Sequence, residues 1–105
     1  YLIVMVREPV ERLKEKVLKE NLWIFIFRLL KEKDDYAYEL RKRVKREFGF
    51  WAGNVTGYKV LYLLERDGYV KSYMKGRRKY YKLTEKGLKQ LKKAQSFFKK
   101  VYTSI

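Results

Sequence analysis

The apolar period of this chain changes from about 3.6 residues to 2 after Gly68 and changes back at Thr84, and no other feature limits the possible folds so tightly. Within the interval, Tyr69 to Tyr73 and Arg78 to Leu83 alternate on either side of a turn at Lys75 and Gly76, the pattern of a β-hairpin. Beyond it, Thr84 is placed to cap a last helix, with Glu85 near its positive end. That helix carries an apolar stripe through Leu88, Leu91, Ala94, Phe98, Val101 or Tyr102, and Ile105. A hairpin set between helices in 105 residues predicts a single, mainly α domain with a small β hairpin.

Three helices are predicted upstream. The first covers 5–32, with Pro9 in its first turn, Leu18, Leu22, Phe25 and Leu29 on one stripe, and Leu13, Val17 and Ile24 on a neighbouring one. A helix apolar on two adjacent faces needs cover from two sides. The second covers 35–48: Asp34 or Asp35 can cap it, Ala37, Leu40, Val44 and Phe48 recur at spacings of three and four, and Gly49 ends it. A turn from Phe50 to Gly53, packed by Trp51, leads to the third, over 54–67, which starts with Asn54 or Thr56 as cap and stops at Gly68. On this helix Tyr58, Leu61 and Leu64 are expected inward, and Lys59, Tyr62, Leu63 and Arg66 outward. The hairpin then occupies 69–83 and the last helix 84–105. Because one short chain cannot cover the stripes of both terminal helices, a homodimer is expected through Leu13, Val17, Ile24, Leu88, Leu91, Phe98, Val101 and Tyr102.

Charge points to the partner. The chain carries 27 Lys and Arg against 12 Asp and Glu, a net +15, and residues 71–100 alone hold 12 basic side chains against the single acid Glu85. A basic field concentrated on one part of a domain invites a polyanion, nucleic acid or an anionic membrane. The absence of Cys and His removes disulfides, thiolate and imidazole metal sites, and Ser-His or Cys-His catalysis, so no cofactor or metal is expected and an enzyme has no visible centre. Lack of Cys and only two Gln and two Asn fit a cytoplasmic protein of a heat-loving organism. The opening Tyr1 to Val6 is too short for a signal-peptide core, and Arg28 interrupts the apolar run that follows Leu22, so no membrane span is expected. Glu11, Glu15 and the other helical carboxylates sit at i,i+4 from Lys and Arg, the spacing of surface pairs.

Two short helices joined by a tight turn and followed by a hairpin is the order of a winged helix-turn-helix, although an unspecialised three-helix core would read similarly. Three patches make the reading specific. Tyr38-Glu39-Leu40 resembles the G-Y-E-L motif of the PadR family of winged-helix transcriptional regulators, with Ala37 at the Gly position. Thr56, Tyr58, Leu61, Leu64-Glu65-Arg66-Asp67-Gly68 and Val70 resemble the family's recognition-helix stretch, and Gly76 through Gly87 resembles its wing-to-helix motif nearly residue for residue. The resemblance covers about Leu22 to Leu91. Val55-Thr56-Gly57 and Lys59, where Pro is common, depart from the family pattern at the groove-facing start of the helix, so no DNA sequence preference carries over. The single short last helix is similar to that of the small subfamily, in which it swaps across a dimer.

The resemblance implies sequence-specific binding of double-stranded DNA, with transcriptional regulation, most simply repression, by operator occupancy. Asn54, Thr56, Gly57, Lys59, Tyr62, Leu63 and Arg66 are the recognition-helix candidates, and Lys75, Arg77, Arg78 and Lys79 the wing candidates. Helix N–H groups near Thr56 and Gly57 could hold a phosphate, or Thr56 could serve only as a cap. One of Tyr80 and Tyr81 must face the core. Trp23, Trp51, Phe97 and Phe98 are either core or the lining of a dimer-centre cavity for a small hydrophobic ligand. A DNA-coating or segregation adaptor on the same fold is the alternative function, and peripheral membrane binding by the basic last helix a more distant one.

Overall fold

The computed structural model describes residues 8–51 and 53–105, with the side chains at 54 and 55 also outside the description. Its elements are α1 (Pro9–Glu20), α2 (Leu22–Glu32), β1 (Asp35–Tyr36), α3 (Ala37–Phe48), α4 (Asn54–Arg66), β2 (Val70–Lys75), β3 (Arg78–Leu83) and α5 (Glu85–Ser104). The helix expected over 5–32 is therefore two helices, and its residues 5–7 lie outside the described residues. They meet at Asn21, which leaves helical geometry (φ −129°, ψ 41°). Asn competes with the helical ladder through its own amide, which here reaches back toward the Lys16 carbonyl at 3.5 Å. The break also separates two kinds of surface. α1 buries none of its residues, whereas α2 buries Leu22, Ile26, Phe27, Leu29 and Leu30.

α2 is the axis of the domain, packed against α3, α4, α5 and β3. Its five buried side chains meet Leu40 and Val44 of α3, Leu61 of α4, Val70 and Tyr81 of the sheet, and Leu91 of α5. Each such aliphatic or aromatic side chain, fully buried, contributes about 1.5–3 kcal/mol. Leu91 is only 2% exposed within its own chain, so it belongs to the core and not to the subunit interface where it was expected. Ile24 and Leu88 are half-buried, Ile24 against the same core.

A buried ion pair closes the corner after α2. Arg43 Nη1 donates to Asp35 Oδ2 at 2.9 Å and Arg43 Nη2 to the Leu29 carbonyl at 3.1 Å, while Asp35 Oδ1 accepts from the Tyr36 N–H at 3.0 Å. Neither Asp34 nor Asp35 caps α3, whose cap position is Tyr36 with no side-chain bond. Asp35 is committed to Arg43, and this holds residues 35 and 36 extended as the short strand β1, an element absent from the expected architecture. The sheet is antiparallel in the order β1-β3-β2, with Asp35 opposite Tyr81, Tyr36 and Tyr73 both opposite Tyr80, and Lys75 opposite Arg78.

The expected stops are in place at Gly49, which takes the left-handed cap (φ 79°), and at Gly68 (φ 81°). Thr84 caps α5, accepting from the Gly87 N–H at 3.1 Å while its hydroxyl lies 2.7 and 2.9 Å from the Gly68 and Tyr69 carbonyls. Gly87 has no room for a side chain, since a Cβ there would meet the Tyr69 carbonyl oxygen and Leu83. Beyond Leu91 the apolar residues Phe97, Phe98, Val101 and Tyr102 of α5, and Ile105 just after it, are exposed, as are Val10 and Leu13 on α1.

Replacing Arg43 by Met should destabilise the fold by about 3–5 kcal/mol, because Asp35 and the Leu29 carbonyl would be left buried without their donor. Pairing it with Asp35→Leu should recover much of the loss. Urea unfolding followed by circular dichroism measures both, and single and double variants of equal stability would contradict this account of the corner.

Candidate nucleic-acid interface

The face that α4 presents is set by how it seats on the core. Gly57, Leu61 and Leu64 form the inward line at spacings of four and three, with Gly57 and Leu61 buried and Leu64 half-buried. At Gly57 the indole of Trp51 occupies the space a Cβ would need. Gly57 is therefore a packing residue, sealed by the ring, and does not open the helix start to a phosphate. The helix begins from a cap position at Gly53 (φ 94°), so neither Asn54 nor Thr56 is the cap. With Gly57 in the inward line, α4 turns Tyr58 outward: it is 56% exposed instead of buried as expected. The open face carries Thr56, Tyr58, Lys59 and Tyr62, and Leu63 is half-buried at its border.

Arg66, expected on the reading face, is held by its neighbour. Its guanidinium donates Nε to Asp67 Oδ1 at 3.0 Å and Nη2 to Asp67 Oδ2 at 3.2 Å. The hydrogen bonds from Arg66 hold the Asp67 carboxyl below its ordinary range, and the same bonds raise the guanidinium.

Four wing cations behave in three ways. Arg77, at the tip beside Gly76 (φ 63°), is exposed and has no partner among the described residues. Lys75 and Arg78 lie over aromatic faces, Lys75 Nζ 5.3 Å from the Tyr80 centroid and the Arg78 guanidinium 4.6 Å from that of Tyr36. Lys79 is a strut and not a free cation. Its ammonium donates to Glu65 Oε1 of α4 at 3.0 Å, and the other oxygen of Glu65 accepts from the Ser72 hydroxyl. These bonds, Ser72 first, hold the Glu65 carboxyl below its ordinary range, and Glu65 in turn raises Lys79. The strut ties the wing to the helix that it flanks.

Of the tyrosine pair, Tyr81 faces the core, where burial pushes its phenol up, and Tyr80 faces out. Trp51 and Trp23 are half-buried, Trp51 under α4 and Trp23 edge-on to Phe27, while Phe97 and Phe98 are exposed. Trp51 also lines a cavity of about 240 Å³ between α3 and α4, with Tyr38, Arg41 and Tyr58 among its walls. Its buried Nε1 has no hydrogen-bond partner among the described residues. Arg41 on α3, and Tyr36 and Tyr73 in the sheet, are groups that sequence reasoning did not single out, and Tyr38 entered it only through the family motif. Strand alternation could have placed Tyr73 on the outer face, and nothing local marks the others as surface groups. Among the described residues no group of acids could hold a metal ion, and no helix is long and apolar enough to cross a membrane.

The geometry has relatives. A family model described as the transcriptional regulator PadR-like family matches residues 26–93. The structure of a transcriptional regulator from Clostridium thermocellum shares 31% identity over 86% of this chain and 97% of its own, with a TM-score of 0.69. A PadR-like transcriptional regulator from Bacillus cereus shares 26% over 85% and 91%, with a TM-score of 0.75. Bacillus subtilis PadR, solved in complex with operator DNA, shares 26% over 70% of this chain and 46% of its own, with a TM-score of 0.60. No curated protein matches the sequence. With the family model spanning more than half of its length, and solved winged-helix structures sharing its fold, the chain belongs to the PadR-like family of transcriptional regulators, proteins that are regulators and not enzymes.

Proposed function

We propose that the protein is a cytoplasmic homodimer that binds double-stranded DNA at a two-fold operator and regulates transcription, by repression, through occupying that site. The observation that carries this reading is the open face of α4, with Lys59 and Tyr62 exposed beside a wing whose tip cation Arg77 is unpaired among the described residues. In helix-turn-helix docking the second helix enters the major groove and a flanking wing reaches backbone or minor groove. The family, and the operator complex of Bacillus subtilis PadR, support DNA as the ligand. Net charge +15 on each subunit adds a long-range attraction to it. The exposed stripe of α5 and the apolar face of α1 support a second copy as their cover, in a dimer built on Leu13, Val17, Leu88, Phe98, Val101 and Tyr102.

Light scattering should report a dimer at micromolar concentration. Phe98→Ala should weaken association by on the order of 3 kcal/mol if the ring is fully covered in the dimer. A folded wild-type monomer would overturn the assembly.

The wing and the helix should fail differently. After selection of a preferred duplex from a random library, Arg77→Ala should weaken binding to that duplex and to random DNA alike, and lower the salt slope by roughly one unit. Lys59→Ala and Tyr62→Ala should cost about 1–3 kcal/mol on the preferred site and less on random DNA. Fluorescence anisotropy across a salt series separates the two patterns, and the reverse pattern would place the wing, not α4, on the base edges.

A further inference from the structure

The sheet has two faces, and α4 uses only one of them. Ser72 and Lys79 point to the α4 side, where both bind Glu65. By strand alternation the opposite face takes Lys71, Tyr73 and Lys75 from β2, Arg78, Tyr80 and Lys82 from β3, and Tyr36 from β1. Three tyrosines thus form a row across all three strands. Tyr36 and Tyr80 have ring centroids 5.4 Å apart, and Tyr73 lies nearly parallel to Tyr80 (20°) at 5.8 Å. Tyr73 leans across β3, its hydroxyl donating to Asp34 Oδ2 at 2.7 Å. Tyr80 lies under one side of the ring. No other ring and no cation covers Tyr73 among the described residues, and the side chain is 41% exposed.

Cations border the row on both sides. Lys71 stands directly opposite Lys82, and Lys75 directly opposite Arg78. Like charges in directly opposed cross-strand positions destabilise a sheet. None of the four has an ion-pair partner among the described residues, and Asp34, which reaches the edge of this face, accepts from the Tyr73 hydroxyl. Two repulsive pairs therefore flank an aromatic row in the part of the protein where its charge is concentrated, and a polyanion would relieve both. A duplex would use the cations alone, since its bases are stacked inward. A single strand offers phosphates to the cations and an unstacked base to the open side of Tyr73.

We propose that this outer face of the wing sheet is a second nucleic-acid site, one that takes a single strand by stacking a base on Tyr73 and tracking its phosphates with Lys71, Lys75, Arg78 and Lys82. The site lies on the side of the sheet away from α4, and of its residues Lys75 and Arg78 are also wing candidates for duplex contact.

The test uses a labelled oligodeoxythymidine of about 12 nucleotides, read by fluorescence anisotropy with and without excess unlabelled duplex. The single strand should bind and should be displaced by duplex only in part, since duplex reaches the cations but not the ring of Tyr73. Tyr73→Ala should weaken it by about tenfold or more, whereas Tyr73→Phe, which keeps the ring, should stay within about twofold of wild type. Lys71→Ala should lower the single-strand salt slope by about 0.7, and duplex affinity should change far less in the tyrosine variants. Wild-type protein photocrosslinked to a bromodeoxyuridine strand should yield adducts on Tyr73 or Tyr80, a measurement that needs no variant to fold. Unchanged binding by Tyr73→Ala, full displacement by duplex, or adducts confined to α4 would each overturn the proposal. Binding of the single strand by a protein that binds no duplex would instead overturn the function proposed above and leave this site standing.

Discussion

The contact between Arg43 and Asp35 organises more of this molecule than its size suggests. It joins the end of α2, the strand β1 and the middle of α3 with charged hydrogen bonds from which water is excluded. A buried pair of this kind gains little over well-packed apolar residues, because desolvation offsets most of the attraction, so its value lies in geometry. Here it fixes two residues of extended backbone against β3. That short pairing adds a third strand to what would be a bare hairpin, and an isolated two-stranded hairpin is marginal in water. It also places Tyr36 beside Tyr80 and under Arg78. The wing is anchored at its root by α2 and α3 before any ligand arrives.

A high net charge says little until the charges are sorted by what holds them. Arg43 is structural, Lys79 ties the wing to α4, and Arg66 is matched by the adjacent Asp67. Lys86 reaches the Asp67 carbonyl at 2.6 Å and covers Tyr69. Arg77, Lys59 and the lysines of the sheet's outer face remain exposed. Contacts to phosphate cost least where no internal partner must be given up, so fewer than the 27 basic side chains are available without such a cost.

Much of the architecture was readable because it depends on local chemistry. Gly49, Gly68 and Thr84 punctuate the chain where the periodicity says they should, and the alternation of 69–83 has only one use. What escaped depends on partners distant in sequence. A two-residue strand has no period, so β1 is visible only through Arg43. The first member of the stripe on α4 was misplaced by one residue because it is Gly57, which carries no hydrophobic signal and becomes legible only when Trp51 is seen against it. Leu91 lies on the same stripe as Phe98, and nothing local says that α2 covers one and leaves the other. Periodicity put basic residues on α4 and the wing, but nothing local marked the acids Glu65 and Asp67 that engage two of them. Asn21 lay within a continuous apolar pattern, and its break follows from the change of environment between an exposed and a buried helix.

The junction at Gly87 has a mechanical consequence. There α5 rests on bare backbone at the base of the wing, with Thr84 clamping the same carbonyls. From that point the helix runs on to Ser104, about 27 Å, and only its first part is held by the core. It acts as a cantilever with a stiff clamp. A tilt of about 10° at the clamp would carry the far end roughly 5 Å, a full side-chain position, so the accuracy of any assembly formed by Phe98 and Tyr102 is decided at a glycine more than ten residues away. A deflection of the wing root would reach that end through the same joint, magnified by its length.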